Sequence, residues 1–231
     1  MNILCTICGR GGSQEIKNKN IRLINGKELI YYTIFAAFKS KIFTNIILST
    51  DSKKIINISK KYGIKNYILR SKKLSSNRQG KLEVIKDALI KSEKIFNKKF
   101  DVICDLDITS PLRTSKDIIN AFKVFKNRNV NNLISCNKSR KNPYYNMVEK
   151  NNNKLVVCKN SKTFFNRRQD APVVYDVNAS IYFWKRDFLL KTSKVINSKT
   201  AIYIMPFERS IDIDTFADFR LVKFFLKKWN I

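Results

Sequence analysis

Two aspartates near the C-terminal end of the chain are spaced for chemistry. Asp212 and Asp214 lie two positions apart in the segment Ser210–Thr215. If this segment is a strand, both side chains share one face and lie about 6.6–6.8 Å apart along the backbone. Carboxylate oxygens suit a hard divalent cation such as Mg²⁺, which also offsets their mutual repulsion. We therefore predict a metal site at this pair; the alternative is that Asp214 only begins the last helix.

Glycines and basic residues follow the first apolar run. In order, they and the neighbouring polar residues are Gly9, Arg10, Gly11, Gly12, Ser13, Lys17, Lys19 and Asn20. Glycines let backbone N–H groups approach a ligand and adopt the left-handed conformations of an anion-binding nest. The spacing matches neither a Walker A loop nor a dinucleotide-binding fingerprint. We predict a phosphate-binding loop, and the alternative is an ordinary glycine-rich turn.

A third polar segment ends an apolar run in the middle of the chain. Asp105 and Asp107 are two positions apart, so they can share one face of a strand, with one of them directed to a ligand. Thr109 and Ser110 follow, and their hydroxyl groups suit a turn that donates hydrogen bonds. The spacing after Thr114 is also typical of a helix N-terminus. The segment can therefore both bind a ligand and begin a helix.

The composition limits which mechanisms are available. The chain has 231 residues with 46 Lys and Arg, 18 Asp and Glu and no His, so its net charge is +28. The lack of His excludes a histidine base, a Ser-His-Asp or Cys-His nucleophile and a histidine-bound zinc ion. Catalysis must then depend on carboxylates, Lys, Arg, thiols, backbone dipoles or a hard metal ion.

The basic charge by itself is compatible with nucleic-acid binding. However, Lys and Arg are spread over the whole chain, and Asn and Ile are abundant with them. A basic helix, a basic tail and the alternation of aromatic and basic residues typical of single-strand binders are all lacking. We keep a basic nucleic-acid binder as the non-enzyme alternative and do not expect nucleic acid to be the partner.

The apolar runs and the cysteines indicate a location. No run approaches the roughly 20 apolar residues of a membrane span, and no basic region precedes a cleavable apolar segment. Cys5 and Cys8 lie inside a strand pattern, where a spacing of three directs them to opposite faces. We interpret the five cysteines as small buried apolar residues in a reducing compartment. The expectation is a cytoplasmic protein without membrane contact.

Apolar periodicity alternates between strand and helix along most of the chain. Strand patterns occupy 3–8, 45–48, 67–69, 102–106, 132–136, 180–184 and 201–205. Helical patterns occupy 29–38, 55–62, 81–96, 114–126, 186–190 and 215–228. This order predicts an α/β fold with a mostly parallel sheet and helices on both faces, with ligands at the carboxyl ends of the strands.

The alternation breaks at about residue 137. Two extended segments, 144–149 and 154–158, are separated by three asparagines at 151–153, which suit a tight turn. The regular pattern returns at Ser180. We predict a single domain over residues 1–231 in which 137–178 form an inserted β-hairpin arm, a natural dimerisation element.

In their order along the chain, these segments resemble the CMP-sialic acid synthetase family, the cytidylyltransferases that activate nonulosonic acids. The resemblance covers nearly the whole chain. It is carried by Gly9–Ser13, Lys19-Asn20, Asn25-Gly26, Ser49-Thr50-Asp51, Arg70, Thr109–Arg113, Arg167-Arg168-Gln169, Asn178 and Ser210–Asp214.

The resemblance implies transfer of CMP from CTP to the anomeric hydroxyl of a nine-carbon 2-keto acid, with Mg²⁺ and release of pyrophosphate. It implies the nucleotide-diphospho-sugar transferase type of fold and a homodimer whose hairpin arm reaches over the partner's site. Attack on the α-phosphorus needs positioning and charge neutralisation more than a strong base, which suits a chain without His. Neuraminate, legionaminate and pseudaminate all remain open as the sugar acid.

The resemblance also implies residue roles. Catalysis would depend on Arg10, Lys19 and Asp212, with the metal on Asp212 and Asp214. The nucleotide would contact Arg10, Gly11, Gly12, Ser13 and Lys19 through its phosphates and Asn20 and Arg70 through its cytosine. The sugar acid would contact Asp107, Thr109, Ser110, Arg167, Gln169 and Asn178, some of them across the dimer.

Three positions depart from the family pattern. Gln14-Glu15 stands where the loop usually has Lys-Gly, which allows a weakened enzyme or a degenerate nucleotide-binding relative. Asp107-Ile108 stands for Gln-Pro, so Asp107 either alters sugar selection or joins the metal shell. Asn178-Ala179 stands for Asn-Gly, which narrows the space beside the backbone. The second enzyme hypothesis is a nucleotidyltransferase that uses another sugar acid, such as ketodeoxyoctonate, or another nucleotide.

Overall fold

The computed structural model describes residues 1–12, 15–71, 73–76, 80–159 and 165–229. The strands are β1 (Ile3–Cys8), β2 (Leu23–Ile24), β3 (Lys27–Glu28), β4 (Asn45–Thr50), β5 (Tyr67–Leu69), β6 (Val102–Leu106), β7 (Asn132–Lys138), β8 (Val148–Asn151), β9 (Lys154–Val157), β10 (Tyr175–Lys185) and β11 (Thr200–Ile204). The helices are α1 (Leu29–Ser40), α2 (Lys53–Lys61), α3 (Lys81–Ile95), α4 (Ser115–Asn127), α5 (Arg186–Lys191) and α6 (Phe216–Lys228).

Seven strands form the central sheet in the order β11-β7-β10-β6-β1-β4-β5. The pairs β1–β4, β1–β6, β4–β5 and β7–β11 are parallel, and only β10 runs antiparallel to its neighbours β6 and β7. The predicted mostly parallel sheet is therefore confirmed. The carboxyl ends of β1 and β6 lie side by side, which places the segments that follow them next to each other.

Helices cover both faces of this sheet, as the alternating sequence pattern predicts. Side chains of α1, α2, α4 and α6 pack in one core cluster, and side chains of α3 and α5 pack in the other. Strand β1 is buried on both faces, with Cys5 and Ile7 in the first cluster and Leu4 in the second. Among the described residues, no helix has the length and apolar character needed to cross a membrane.

Two helix starts follow directly from local sequence. The Thr114 side chain accepts a hydrogen bond from the backbone N–H of Asp117, and the Asp117 carboxylate accepts one from the Thr114 backbone N–H, so α4 begins with the expected capping box. Thr215 and Asp218 form the same arrangement at the start of α6. Both helices thus begin one residue after the capping threonine.

Strands β7 and β10 are longer than the periodicity indicates. Tyr175 pairs with Lys138 at their outer ends, so residues 175–178 of the predicted insertion belong to the central sheet. The register shifts between Val177 and Tyr182. Within this irregularity Ala179 has a φ of 52°, a left-handed value that glycine adopts more easily.

The chain between β7 and β10 contains a separate two-stranded sheet, as does the segment between β1 and α1, where β2 pairs with β3. Strands β8 and β9 pair antiparallel with each other. Asn152 and Asn153 in the turn have φ values of 46° and 62°, the conformation that asparagine tolerates. The role of this segment in dimerisation stays a prediction.

Two sequence expectations are wrong. Residues 210–214 do not form a strand: the Ile213 N–H donates to the Thr109 carbonyl over 2.9 Å, and Thr109 lies in the turn after β6 and not in the sheet. The cysteines are all free, but Cys8 is only partly buried and Cys158 is exposed. Strand spacing predicts the face of the sheet on which a cysteine lies, but not whether the end of its strand is covered.

Candidate active site

A cavity of about 440 Å³ opens beyond the carboxyl ends of β1 and β6. This is the edge at which open α/β sheets bind ligands. It combines basic, acidic and amide side chains from three distant parts of the chain. The lining residues are Cys8, Gly9, Arg10, Glu15, Ile16, Lys19, Asn20, Asp107, Thr109, Asp212 and Asp214.

The glycine-rich loop is shaped by close packing. A Cβ on Gly9 would lie 2.4 Å from the Cδ1 atom of Ile108, so a larger residue there requires the Ile108 side chain to shift. The Gly11 N–H donates to the Asp51 carboxylate over 2.7 Å. Neither glycine has a positive φ, nor does Gly12, so the predicted left-handed conformations are wrong here. Gly11 and Gly12 do not line the cavity, and Ser13 lies outside the described residues.

Lys19 and Asn20 come to the cavity from a short 3-10 helix. The Asn20 amide donates to the carbonyl of Arg10 over 2.9 Å, which holds the loop in place. The ammonium group of Lys19 lies 3.2 Å from the carboxylate of Asp214 and also donates to the carbonyl of Ile213. The two predicted nucleotide residues thus also position their neighbours.

A second cavity of about 300 Å³ adjoins the first and shares Cys8, Arg10 and Asp107 with it. Arg70 lines this second cavity, where its Nε atom is buried without a hydrogen-bond partner. Asn20 lines the first. The two residues predicted to face the cytosine therefore line different cavities, which adjoin each other.

Asp212 and Asp214 differ in their surroundings. The Oδ1 atom of Asp212 is buried without a hydrogen-bond partner. Burial and, after it, the neighbouring carboxylate of Asp107 raise the pKa of Asp212 to about 6, because the charged form is poorly solvated and repelled there. Asp214 is exposed and paired with Lys19. Asp212 thus lines a cavity that also contains two basic side chains, Arg10 and Lys19, and one of its carboxylate oxygens is buried without a partner.

These residues fit a magnesium ion. Within the described part of the chain, no group of three or more acidic or cysteine side chains is placed to hold a metal. Mg²⁺ does not require one, since it usually combines one or two carboxylates with substrate phosphates and water. The carboxylate of Asp212 would supply one ligand, and Asp214 would supply a second if Lys19 released it.

Asp107 is held on both of its carboxylate oxygens. Oδ2 lies 2.7 Å from the ammonium group of Lys81, and Oδ1 accepts from the backbone N–H and hydroxyl of Thr109 over 3.2 and 2.9 Å. Burial alone would raise the pKa of Asp107, but Lys81 and Thr109 outweigh it and lower the pKa to about 2. Lys81 is missing from the sequence interpretation. Its signal is a cation in the first turn of a helix, where the helix dipole disfavours positive charge.

Ser110 and Asn178 lie behind the cavity and do not line it. Both are buried, and the Ser110 hydroxyl donates to the Asn178 carbonyl over 3.3 Å. The Asn178 amide oxygen accepts from Ser135 over 2.6 Å, and its nitrogen donates to Ser210 over 2.9 Å. These two residues therefore join β7, β10 and the segment that carries Asp212.

Arg113 holds the turn that follows β6. It is buried, and its guanidinium donates to the Ser180 carbonyl over 2.6 Å, the Thr33 hydroxyl over 2.8 Å and the Asp107 carbonyl over 3.0 Å. All of these acceptors are distant in sequence or belong to the backbone. A single sequence offers no sign of this role beyond the arginine itself.

Arg167 and Gln169 lie away from both cavities. Arg167 is exposed and paired with Asp170, with nitrogen-to-oxygen distances of 2.9 and 3.1 Å. Gln169 lines a separate cavity of about 120 Å³ next to Asn142. Their contact with a sugar acid, across a dimer interface, stays a prediction.

The chain is similar to proteins of known type over almost its full length. The family described as "Cytidylyltransferase" matches residues 4–226. The post-translational flagellin modification protein B of Campylobacter coli is 45% identical over 229 residues, which cover 99% of this chain and 97% of that protein. The CMP-N,N'-diacetyllegionaminic acid synthase of Campylobacter jejuni is 44% identical over 229 residues, with the same shares covered.

The fold also has a close counterpart among solved structures. The structure of CMP:2-keto-3-deoxy-manno-octonic acid synthetase complexed with CTP superposes with a TM-score of 0.71 and covers 99% of both chains. The two sequences are only 15% identical, so this likeness bears on the fold alone. It confirms the α/β fold class that the sequence predicts.

Proposed function

Since this chain belongs to the cytidylyltransferase family, we propose that it transfers CMP from CTP to the anomeric hydroxyl of a sialic-acid-like nine-carbon sugar acid and releases pyrophosphate. One observation within the structure carries this proposal. A single cavity at the ligand-binding edge of the sheet combines the cations Arg10 and Lys19 with the carboxylate of Asp212, one oxygen of which is buried without a hydrogen-bond partner. Triphosphate binding needs the cations, and a hard metal ion needs the carboxylate.

The basic residues neutralise the leaving group in this proposal. Transfer of a nucleotidyl group spreads negative charge over the phosphate oxygens, and preorganised cations stabilise that charge. Arg10 lines both cavities, so it can contact a nucleotide bound in either of them. Lys19 would exchange the Asp214 carboxylate for a phosphate oxygen when the triphosphate binds, because both compete for the same ammonium group.

We also infer Mg²⁺ as the cofactor, held by Asp212 and Asp214. When bound, the ion supplies charge neutralisation to the phosphates and lowers the pKa of a coordinated hydroxyl. Asp212 is prepared for this role because burial and the charge of Asp107 disfavour its free carboxylate. A bound cation would offset the cost of this buried negative charge, which favours binding of the metal at Asp212.

We infer that the sugar acid is an N,N'-diacetyllegionaminic acid or a close stereoisomer. The support is the 44% identity to the CMP-N,N'-diacetyllegionaminic acid synthase over nearly the full length of both chains. Pseudaminate and neuraminate share its acid group and anomeric centre, and ketodeoxyoctonate is the more distant alternative. Acyl substituents and stereochemistry distinguish these acids, so the discrimination must depend on groups that contact the sugar.

An assay of pyrophosphate release tests the function directly. With CTP, Mg²⁺ and a panel of these acids, we expect turnover that is fastest with N,N'-diacetyllegionaminic acid. UTP, ATP and GTP serve as nucleotide controls and should support little turnover. A folded protein that releases no pyrophosphate with any acid contradicts the proposal. If that protein is still stabilised by CTP against heat, restoring Lys at position 14 and Gly at position 15 separates a degenerate relative, whose activity returns, from a different function.

We propose a homodimer formed through the β8–β9 segment. Its apolar side chains are unusually exposed in one chain: Leu155 is 75% exposed and Val148 54% exposed. Arg167 also lies outside the cavity of its own chain, as expected for a residue that serves the partner's site.

Sedimentation velocity tests the dimer. We expect a mass of twice 27.0 kDa for the wild type and a shift to the monomer in the variant Leu155→Asp, because a buried charge at an interface is costly. Phe224→Asp, at an equally apolar exposed position on α6, is the matched control and should remain dimeric. A monomeric wild type rules out this assembly.

We infer a cytoplasmic location from the cysteines. All five are free thiols, and Cys5, Cys104 and Cys136 are buried among apolar side chains. Proteins of oxidising compartments usually convert their cysteines to disulfides. The thiol pattern therefore supports a reducing compartment.

A further inference from the structure

Lys81 forms ion pairs with two carboxylates, which its position at the start of a helix does not predict. It is the first residue of α3, and its ammonium group lies 2.7 Å from Asp107 and 3.2 Å from Asp105. The same nitrogen is 4.4 Å from the centre of the Tyr182 ring. A cation at this end of a helix opposes the helix dipole, so these partners must compensate for its position.

Asp105 accounts for only part of this arrangement. It is fully buried, and the Thr6 hydroxyl donates to its Oδ1 atom over 2.7 Å. Its Oδ2 atom meets Lys81 as an ion pair without a directed hydrogen bond. Asp105 therefore balances the charge of Lys81, whereas the directed hydrogen bond of Lys81 goes to Asp107.

Asp107 is the member of this cluster that reaches the ligand. Its side chain is 22% exposed and lines both cavities. Lys81 and Thr109 provide three hydrogen bonds, whereas a carboxylate can accept about four. One acceptor position thus remains, in an orientation set by these contacts.

The charge of that remaining acceptor limits what it can bind. A carboxylate repels phosphate groups and accepts hydrogen bonds from hydroxyl and amide N–H groups. A sugar acid with hydroxyl and acylamino substituents carries both donors. A role in the metal shell is less compatible, because both oxygens of Asp107 already have partners, whereas Asp212 has an oxygen with none.

We propose that Lys81 is a positioning residue for sugar-acid selection: it holds the Asp107 carboxylate as a fixed acceptor for a hydroxyl or acylamino N–H of the sugar acid and keeps that carboxylate out of the metal shell. The inference rests on the proposed cytidylyltransferase function and adds the group that reads the sugar. Lys81 acts through Asp107 and need not touch the substrate. Its effect should therefore appear in the KM for the sugar acid.

Steady-state kinetics of Lys81→Arg tests the proposal. Arginine keeps the charge but its planar guanidinium cannot occupy the same point between two carboxylates. We expect the KM for the sugar acid to rise about tenfold or more, while the KM for CTP changes less than about threefold. The preference between legionaminate and neuraminate, as a ratio of kcat/KM values, should shrink in the same variant.

Two further variants separate this role from simple stability. Lys91→Gln removes an ion pair with Asp87 on the same helix, far from the cavities, and should leave both KM values unchanged. Asp107→Asn keeps Lys81 paired with Asp105 and should raise the KM for the sugar acid like Lys81→Arg. In the double variant the KM for the sugar acid should be no higher than in either single variant, because Lys81 has its effect only through the Asp107 carboxylate.

Three outcomes decide the inference. An active wild type whose folded Lys81 and Asp107 variants keep the wild-type KM for the acid overturns it and leaves the proposed function standing. An equal or larger rise in the KM for CTP also overturns it, because the pair then serves the nucleotide. A wild type that turns over no acid overturns both the inference and the proposed function.

Discussion

Replacing Asp212 with Asn is expected to lower kcat/KM for CMP transfer by about 10²–10³-fold, the loss typical of removing a preorganised electrostatic group from an active site. The reason is that Asp212 lines the main cavity together with Lys19 and has one carboxylate oxygen without a hydrogen-bond partner. An amide retains the shape of the side chain but removes the charge that a magnesium ion requires. CTP should still bind, since Arg10 and Lys19 remain.

Stability measurements distinguish lost chemistry from lost folding in this variant. The pKa of Asp212 is raised to about 6 by burial and by Asp107, above the roughly 3.9 of an unfolded aspartate. Between these values the folded chain binds the extra proton, so the stability contributed by this group is lost as the pH rises through the folded pKa. At neutral pH the uncharged Asn removes that penalty. We therefore expect the Tm of Asp212→Asn to equal or exceed that of the wild type.

A graded comparison completes this experiment. Asp214→Asn should have a smaller effect, because Asp214 is exposed and its charge is shared with Lys19. Asp187→Asn, at an exposed carboxylate in α5, is the control and should keep full activity. Pyrophosphate release is measured over a range of Mg²⁺ concentrations, and the half-saturating concentration should rise in the order Asp187, Asp214, Asp212. Near-normal rates in both site variants would contradict the metal assignment.

Replacing Arg113 with Met is expected to lower the free energy of unfolding by about 3–5 kcal/mol. Burying a guanidinium is itself unfavourable, and burial lowers the pKa of Arg113. The guanidinium nevertheless donates four hydrogen bonds, to the backbone carbonyls of Ser180 and Asp107 and to the hydroxyl groups of Ser180 and Thr33. Without Arg113 each carbonyl keeps a second donor, the Asp107 N–H and the Thr33 hydroxyl, so the loss is that of the charge-assisted bonds, at about 1.5–3 kcal/mol each before the cost of burial is subtracted.

Urea unfolding measures this loss. Arg113→Lys should also be destabilised, because one ammonium group cannot replace the donors of two separate guanidinium nitrogens, Nη1 and Nη2. Arg220→Met, at an exposed position on α6, is the matched control and should change the free energy of unfolding by less than about 0.5 kcal/mol. An Arg113→Met variant within about 1 kcal/mol of the wild type would show that the hydrogen bonds of the guanidinium contribute no more than its burial costs.

Local periodicity was sufficient for most of the architecture. The strands Tyr67–Leu69 and Val102–Leu106 begin and end where the apolar pattern predicts, and α4 begins one residue after its capping threonine. Short-range signals work here because strand burial and helix capping depend on residues within a few positions. The prediction of a strand at 210–214 is wrong because a strand also depends on distant residues. Its alternation is strand-like, but a strand also needs a neighbour, and this segment has only an isolated bond to Thr109.

The sequence by itself determined the fold class, the edge of the sheet that binds ligands and the set of chemical groups available there. A chain without His and with acidic pairs at Asp105–Asp107 and Asp212–Asp214 has few ways to transfer a nucleotide. Only the tertiary structure decided which groups are free to act. It pairs Asp107 with Lys81, leaves Asp212 with an unpartnered oxygen and turns Asn178 inward. Those contacts join residues far apart in the chain, so they depend on packing and solvent exclusion that no local spacing encodes.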